Sequence, residues 1–324
     1  MLKALGYIAL FLVLLVLVTL WRANARDAKA AAEFPPAGQL VGPAGRQVHA
    51  EVFGSGPDVI LIHGASGSTR DFTFDLVHRL KDRYRVIVLD RPGLGWTDRA
   101  GPAFEGVLST AAESPARQAE MLQGAADALG VQNPIVVGHS YGGAVSLAWA
   151  LSRPDRTAAL VLLGAASQPW PGELTLQYRL LDTRFGSLIL VPLIAAFAPA
   201  PLVHDSVESI FAPQPVPEGY IDHIGTDLTL RRTTQRANAQ QVNSLRPHVE
   251  EMSQRYPSLD LPVEILHGTE DTTVPLHIHS EPLAGMLPDG ELTRMEGVGH
   301  MPHHADPEAV VAAIDRAASR AGLR

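Results

Sequence analysis

The sequence predicts an α/β fold: a mostly parallel, doubly wound sheet with a helical insertion late in the chain and an apolar helix ahead of it. Three observations carry this. From Asp58 to Leu163, short apolar runs of strand type alternate with helix-compatible segments, the rhythm that right-handed crossovers build into a parallel sheet with helices on both faces. The rhythm stops after Ala166 and resumes at Leu261, leaving residues at about 167–256 without a convincing strand. Ala4 to Trp21 carries no charged residue and no polar face.

As a helix, Ala4–Trp21 would be about 27 Å long, close to the thickness of a bilayer's hydrocarbon core. Lys3 precedes it, and Arg22, Arg26 and Lys29 follow. Residues 1–25 are therefore expected to form an uncleaved, single-pass N-terminal membrane anchor, with Trp21-Arg22 at the interface. The competing reading is a signal peptide, cut at Ala23-Asn24-Ala25 or Ala28-Lys29-Ala30 to release a secreted or periplasmic protein; it would normally have a shorter apolar run. Basic residues on both flanks leave orientation open. Residues 26–45, rich in Ala, Pro and Gly, read as a linker, with Ala28–Glu33 able to extend the helix. Residues 46–324 form the main domain.

Within it, Gln47–Phe53 reads as a first strand and Gly54–Pro57 as a turn. Asp58–His63 and Tyr84–Asp90 are continuous apolar runs of the kind buried on both faces of a parallel sheet. Thr69–Leu80 between them is amphipathic. Ser114–Gly130 is a helix ending at a glycine, followed by a strand from Ile135, a helix to about Ser152 and a strand at Ala158–Leu163. The insertion holds helix-like pieces at Leu174–Asp182, Gly186–Phe197, Leu202–Phe211, Gly219–Leu228 and Thr234–Val249. Phe185–Pro199 is apolar except for Ser187; it reads either as a helix buried between insertion and core or as a surface facing lipid or a lipophilic substrate. Leu261–Gly268 and Glu291–Met295 return to strand, Leu276–Leu287 to helix. Asp306–Arg320 closes the chain, with Asp306 as N-cap and Pro307 at the first helical position.

Composition narrows the classes. The 324 residues are 46% hydrophobic and 19% charged, which suits one large core. A net charge of −8 with no basic block excludes nucleic acid as an expected partner. The absence of cysteine removes a disulfide framework, a thiol nucleophile and thiolate metal sites.

Chemistry concentrates at Gly138-His139-Ser140-Tyr141-Gly142-Gly143, where an apolar strand meets an apolar helix. That strand–turn–helix context lifts a serine hydroxyl above the sheet edge. A serine needs a base to take its proton, and the base needs a third group to orient it. Asp271 and His300 follow Ser140 in the chain, each just beyond a strand end. His63 reads as a brace, and His303 and His304 lack the glycine frame of His300. Glu270 is displaced by one position from the spacing to Val274-Pro275. His277 and His279 are expected on the surface of a helix start, not at a metal. Asp90 and Arg91 are expected to brace their loop, and Trp96 is a candidate pocket residue.

Five segments carry a resemblance to a known family: His63-Gly64-Ala65-Ser66-Gly67, Asp90-Arg91-Pro92-Gly93-Leu94-Gly95, Gly138–Gly143, Gly268–Pro275 and Gly299-His300-Met301-Pro302. The sequence resembles the α/β-hydrolase superfamily, in particular its capped esterase, lipase and C–C-hydrolase-like branch, over about residues 47–320. The resemblance implies Ser140 as nucleophile, His300 as base and then acid, Asp271 as its orienting carboxylate, and the backbone N–H groups of Ala65 and Tyr141 as an oxyanion hole. It implies no metal or organic cofactor, and it makes the insertion a cap. Haloalkane dehalogenases and epoxide hydrolases resemble the chain at Asp90–Gly95 but use an aspartate where Ser140 stands. The expectation is a serine hydrolase of carboxylic esters, with a small-molecule ester or lipid-derived substrate. C–C-bond hydrolysis or cofactor-free perhydrolysis by the same triad is the alternative chemistry. A non-catalytic ligand-binding scaffold at the membrane is the alternative class.

Overall fold

The computed structural model describes residues 1–324. Eight strands form one sheet: β1 (Gln39–Val41), β2 (Val48–Phe53), β3 (Asp58–Ile62), β4 (Arg85–Leu89), β5 (Ile135–His139), β6 (Ala159–Leu163), β7 (Val263–Gly268) and β8 (Gly290–Met295). Their spatial order is β1-β2-β4-β3-β5-β6-β7-β8. The pairs β1–β2 and β2–β4 are antiparallel and all the others are parallel.

The helices are α1 (Leu2–Glu33), α2 (Arg70–Thr73), α3 (Leu76–Leu80), α4 (Pro115–Ala128) and α5 (Tyr141–Ser152). The cap adds α6 (Leu176–Leu181), α7 (Val191–Phe197), α8 (Ala200–Phe211), α9 (Tyr220–Ile224), α10 (Thr226–Thr229) and α11 (Arg232–Ser253). After it come α12 (Ser280–Met286), α13 (Pro302–Ala305) and α14 (Pro307–Arg320). Ser114 accepts a hydrogen bond from Arg117 N–H and Asp306 from Ala309 N–H, so both are side-chain N-caps.

Alternation along the strands builds two cores. Ile60, Ile62, Val136 and Leu162 face α4, α5 and α11. Val59, Leu61, Val137 and Val161 face the other way, against α3 and α14. Each of these fully buried aliphatic side chains contributes about 1.5–3 kcal/mol. Both faces are covered, so the strands read as unbroken apolar runs.

Several local expectations change. Of the 26–45 segment read as linker, the first part continues α1 to Glu33, and Gln39–Val41 pairs with the edge of β2. Three residues carry too little pattern to announce a strand; docking on an existing edge creates it. The amphipathic run Thr69–Leu80 breaks into α2 and α3 around Phe74-Asp75. The helix expected from Leu276 begins only at Ser280. Phe185–Pro199 is not sealed between cap and core. Val191 packs on Ala239 of α11, and Ala195 and Ala196 on Ala23 of α1, while Phe185, Leu188, Ile189, Leu193 and Phe197 stay exposed.

Candidate active site

Ser140 sits between β5 and α5 with φ 53° and ψ −119°. A non-glycine residue held there stores about 1–3 kcal/mol of strain, which the surroundings must impose. They do: a Cβ on Gly142 would lie 2.1 Å from the carbonyl oxygen of Ile62, so only glycine lets α5 start this close to β3. α5 is buried along nearly its whole length, which leaves the turn no room to relax.

At this elbow three side chains form a hydrogen-bonded relay. Ser140 Oγ lies 3.0 Å from His300 Nε2, and His300 Nδ1 lies 2.7 Å from Asp271 Oδ2. All three residues are buried. Burial by itself would raise the Asp271 carboxyl. Hydrogen bonds from His267 and His300, together with the Val274 backbone N–H, outweigh it and hold the group well below the ordinary carboxylate range. With Asp271 ionised, the His300 proton resides on Nδ1 and Nε2 is left to accept from the serine.

The loop Gly64–Ser68 closes the other side. A Cβ at Gly64 would lie 3.1 Å from Ser140 Cβ, so this loop runs directly beside Ser140. Among the described residues, neither Ala65 N–H nor Tyr141 N–H donates to a backbone acceptor. Both are available to a ligand oxygen. Ser66, also at positive φ, is pinned by a two-way exchange with Asn238 of α11: its N–H donates to Oδ1 at 2.8 Å, and Nδ2 donates to its Oγ at 2.9 Å.

The rival residues have other partners. His63 Nε2 accepts from Arg91 N–H at 2.9 Å, and burial lowers its pKa to about 4. His303 and His304 each place Nε2 on a different oxygen of Asp71, which also accepts from Tyr220 of the cap. His303 Nδ1 is buried with no hydrogen-bond partner. Glu270 is exposed. Asp90 accepts from the N–H groups of Thr69 and Trp96, and the Arg91 guanidinium reaches Gln118, Gly64 O and Gln241 and lies 3.8 Å from the centre of the Tyr141 ring.

One expectation is overturned. His279 is buried rather than on the surface: its Nδ1 accepts from the N–H groups of Ser167 and Gln168, and burial lowers its pKa to about 4. The late start of α12 turns this side chain inward. Trp96, the candidate pocket residue, is half-buried on the loop after β4. Its indole N–H donates to Phe34 O at 3.0 Å, and the Arg231 guanidinium stacks over its ring, in a small cleft shared with Pro35, Ala37 and Leu228.

The sequence reading missed His267, Asn238 and Gln241. His267 Nε2 donates to Val274 O at 2.7 Å and approaches Asp271 Oδ2 at 3.1 Å, while Nδ1 meets Ser280 Oγ. A histidine closing a buried strand four residues before the acid was its signal. Asn238 and Gln241 sit in a polar helix with no local mark of what they reach.

A family model described as the alpha/beta hydrolase family matches residues 59–313, and the chain belongs to that family of hydrolase-type enzymes. It is 34% identical over 142 residues to a 2-hydroxymuconate semialdehyde hydrolase of Pseudomonas putida, covering 42% of this chain and 46% of the relative. The fold is similar to that of the esterase RhEst1 from Rhodococcus sp. ECU1013, with a TM-score of 0.66, 22% identity, and coverage of 87% of this chain and 98% of that one. It is also similar to a membrane phospholipase A, with a TM-score of 0.64, 22% identity, and coverage of 97% and 98%.

Proposed function

We propose that this chain is a membrane-anchored serine hydrolase of carboxylic esters, lipid-derived esters among them. The observation that supports it best is the relay from Ser140 through His300 to Asp271, on a strained elbow beside two uncommitted N–H groups. His300 takes the Ser140 proton as Oγ attacks the ester carbonyl. The negative charge moves to the carbonyl oxygen, where Ala65 N–H and Tyr141 N–H receive it; losing one such donor costs about 3–4 kcal/mol of barrier. His300 then protonates the departing alkoxide, leaving an acyl group on Ser140. A water deprotonated by His300 attacks the acyl carbon, and the proton returns to Oγ as the acid leaves. Asp271 stays ionised throughout and stabilises the imidazolium.

The anchor part of the reading rests on α1, whose side chains from Leu5 to Val18 stand exposed and apolar. The named activity of the membrane phospholipase A, a protein of similar fold, points the same way. A second chemistry, hydrolytic C–C cleavage by the same three residues, is favoured by the likeness to the Pseudomonas putida hydrolase; product analysis separates the two.

Ser140→Ala is expected to lower turnover of a short p-nitrophenyl ester by about 10⁴-fold or more while leaving the thermal transition in place. A fluorophosphonate is expected to label the wild type and not the variant. Undiminished turnover in the variant would sink this mechanism, and a wild type that resists labelling would return the chain to the ligand-binding class.

A further inference from the structure

The exposed apolar surface of this molecule is not scattered. Outside α1, most of its large exposed apolar side chains fall between Leu176 and Ile210: Phe185, Leu188, Ile189, Leu193, Phe197 and Leu202 among them. Phe185 to Val203 contains no charged residue. Single exposed leucines are ordinary on soluble proteins, but a contiguous stretch of this kind marks a surface that meets something apolar.

Its position says what. α1 leaves the globule near Thr19, which is buried, and stands free on the N-terminal side of it. The contact with the cap starts where the uncharged run ends. Ala23 packs against Ala195 and Ala196, the Arg22 guanidinium lies 4.9 Å from the centre of the Phe197 ring, and Arg26 Nη1 donates to Ala198 O. At 1.5 Å per residue, Trp21 and Ala23 differ by about 3 Å along the helix axis. α7 is therefore level with the point at which α1 passes from a polar to an apolar medium. The bend of 101° between the Gly186–Phe197 and Ala200–Phe211 segments rules out a straight second crossing.

We propose that the exposed face of α7, with the π-helical segment Gly186–Leu190 ahead of it and Leu202 at the start of α8, is seated in the headgroup–acyl boundary of the phospholipid bilayer that α1 enters, while the exposed His204, Asp205 and Glu208 of α8 stay on the headgroup side. Amphipathic elements of this kind bury their apolar side about 5–10 Å into that boundary. The cap is then a second point of attachment, and it fixes the tilt of the domain over the membrane. The proposal rests on the membrane part of the function proposed above and not on its chemistry.

The chain has no cysteine, so single-cysteine variants of the full-length protein report one position each. Leu12→Cys (in α1), Leu188→Cys (on the face) and Ser319→Cys (exposed at the end of α14) would each carry a polarity-sensitive fluorophore. Each would be reconstituted into phosphatidylcholine vesicles with or without lipid bearing a nitroxide near the top of the acyl chain. The expected result is loss of most emission at 12 and 188 and little loss at 319, unchanged when Ser140→Ala is added. Quenching at 12 but not at 188 overturns the seated cap and leaves the anchor standing. Quenching at neither overturns both. If position 188 is unquenched and instead cross-links between copies, the face belongs to a second copy of this chain, and the proposal falls.

Discussion

The two ends of the molecule treat the same problem in opposite ways. Around Ser140, the buried carboxylates are fully partnered: Asp271 is met by His267, His300 and two backbone N–H groups, and Asp71 by two histidines and a tyrosine. On the outer side of α7 and the segment before it, large apolar groups such as Leu188, Leu193 and Phe197 are outside and unpartnered. The first arrangement lowers the energy of one geometry and resists displacement, because an unpaired buried polar group costs about 1–3 kcal/mol. The second lowers nothing until an apolar medium arrives. A site that must hold atoms to a fraction of an ångström is built in the first way, and a surface that must be taken up elsewhere in the second.

Removing a partner from the buried end is the severest way to break this contrast. Asp271→Asn leaves the shape of the relay but presents an amide where His300 needs an acceptor, and ester turnover is expected to fall by about 10³–10⁴-fold. Steady-state kinetics on the purified variant checks it; a loss of less than tenfold would mean that Asp271 does not hold the base.

A milder change tests whether the buried histidines make the core sensitive to acid. The folded-state pKa of His279 is about 4, below the ordinary value of 6.5, because burial disfavours its charged form. The unfolded chain therefore binds the proton more readily. The contribution is complete above about pH 6.5 and is lost as pH falls from there toward about 4, to the extent of about 1–3 kcal/mol. His63 adds a slope of the same sign. In His279→Gln, where the amide oxygen can still accept from Ser167 and Gln168, the drop in urea-unfolding free energy between about pH 7.5 and about pH 4.5 is expected to shrink by that amount. An unchanged drop would show that His279 titrates normally.

The smallest effect belongs to the other region. Arg26 pairs with Asp227 at 2.9 Å, with both side chains partly exposed. Arg26→Ala is expected to cost about 0.5–1 kcal/mol and to leave turnover of a soluble ester alone. Its sharper readout is proteolysis at Phe34–Pro36, expected to speed up as α1 loosens from the cap. No change in cutting would mean that α1 is held without Arg26, by the Ala23, Ala195 and Ala196 packing, the Arg22 contact with Phe197 and the Asp27–Arg232 pair.

How far such features could be read in advance depends on how local their cause is. The sheet was legible because every residue of β5 and β6, and all but the first of β3 and β4, is buried, so each strand announces itself. β1 was not, because Gln39–Val41 is a strand only by virtue of β2. Ser140, Asp271 and His300 were legible because a tight turn, a strand end and a glycine frame leave marks within a few residues. His279 was misplaced because its partners, Ser167 and Gln168, are remote in sequence.

The sequence alone therefore determined the class of the fold, the succession of β2 to β8 along the chain, the apolar run at the N-terminus and the turn at Ser140. These follow from periodicity, charge and the steric limits on φ and ψ, which act between neighbours. Only the tertiary structure decided which of thirteen histidines reach which carboxylate, that Asn238 holds the loop beside Ala65, and that the flank of α1 lies against α7. Those are outcomes of packing between segments far apart in the chain, set by the fit of one surface to another, and a linear pattern carries no record of that fit.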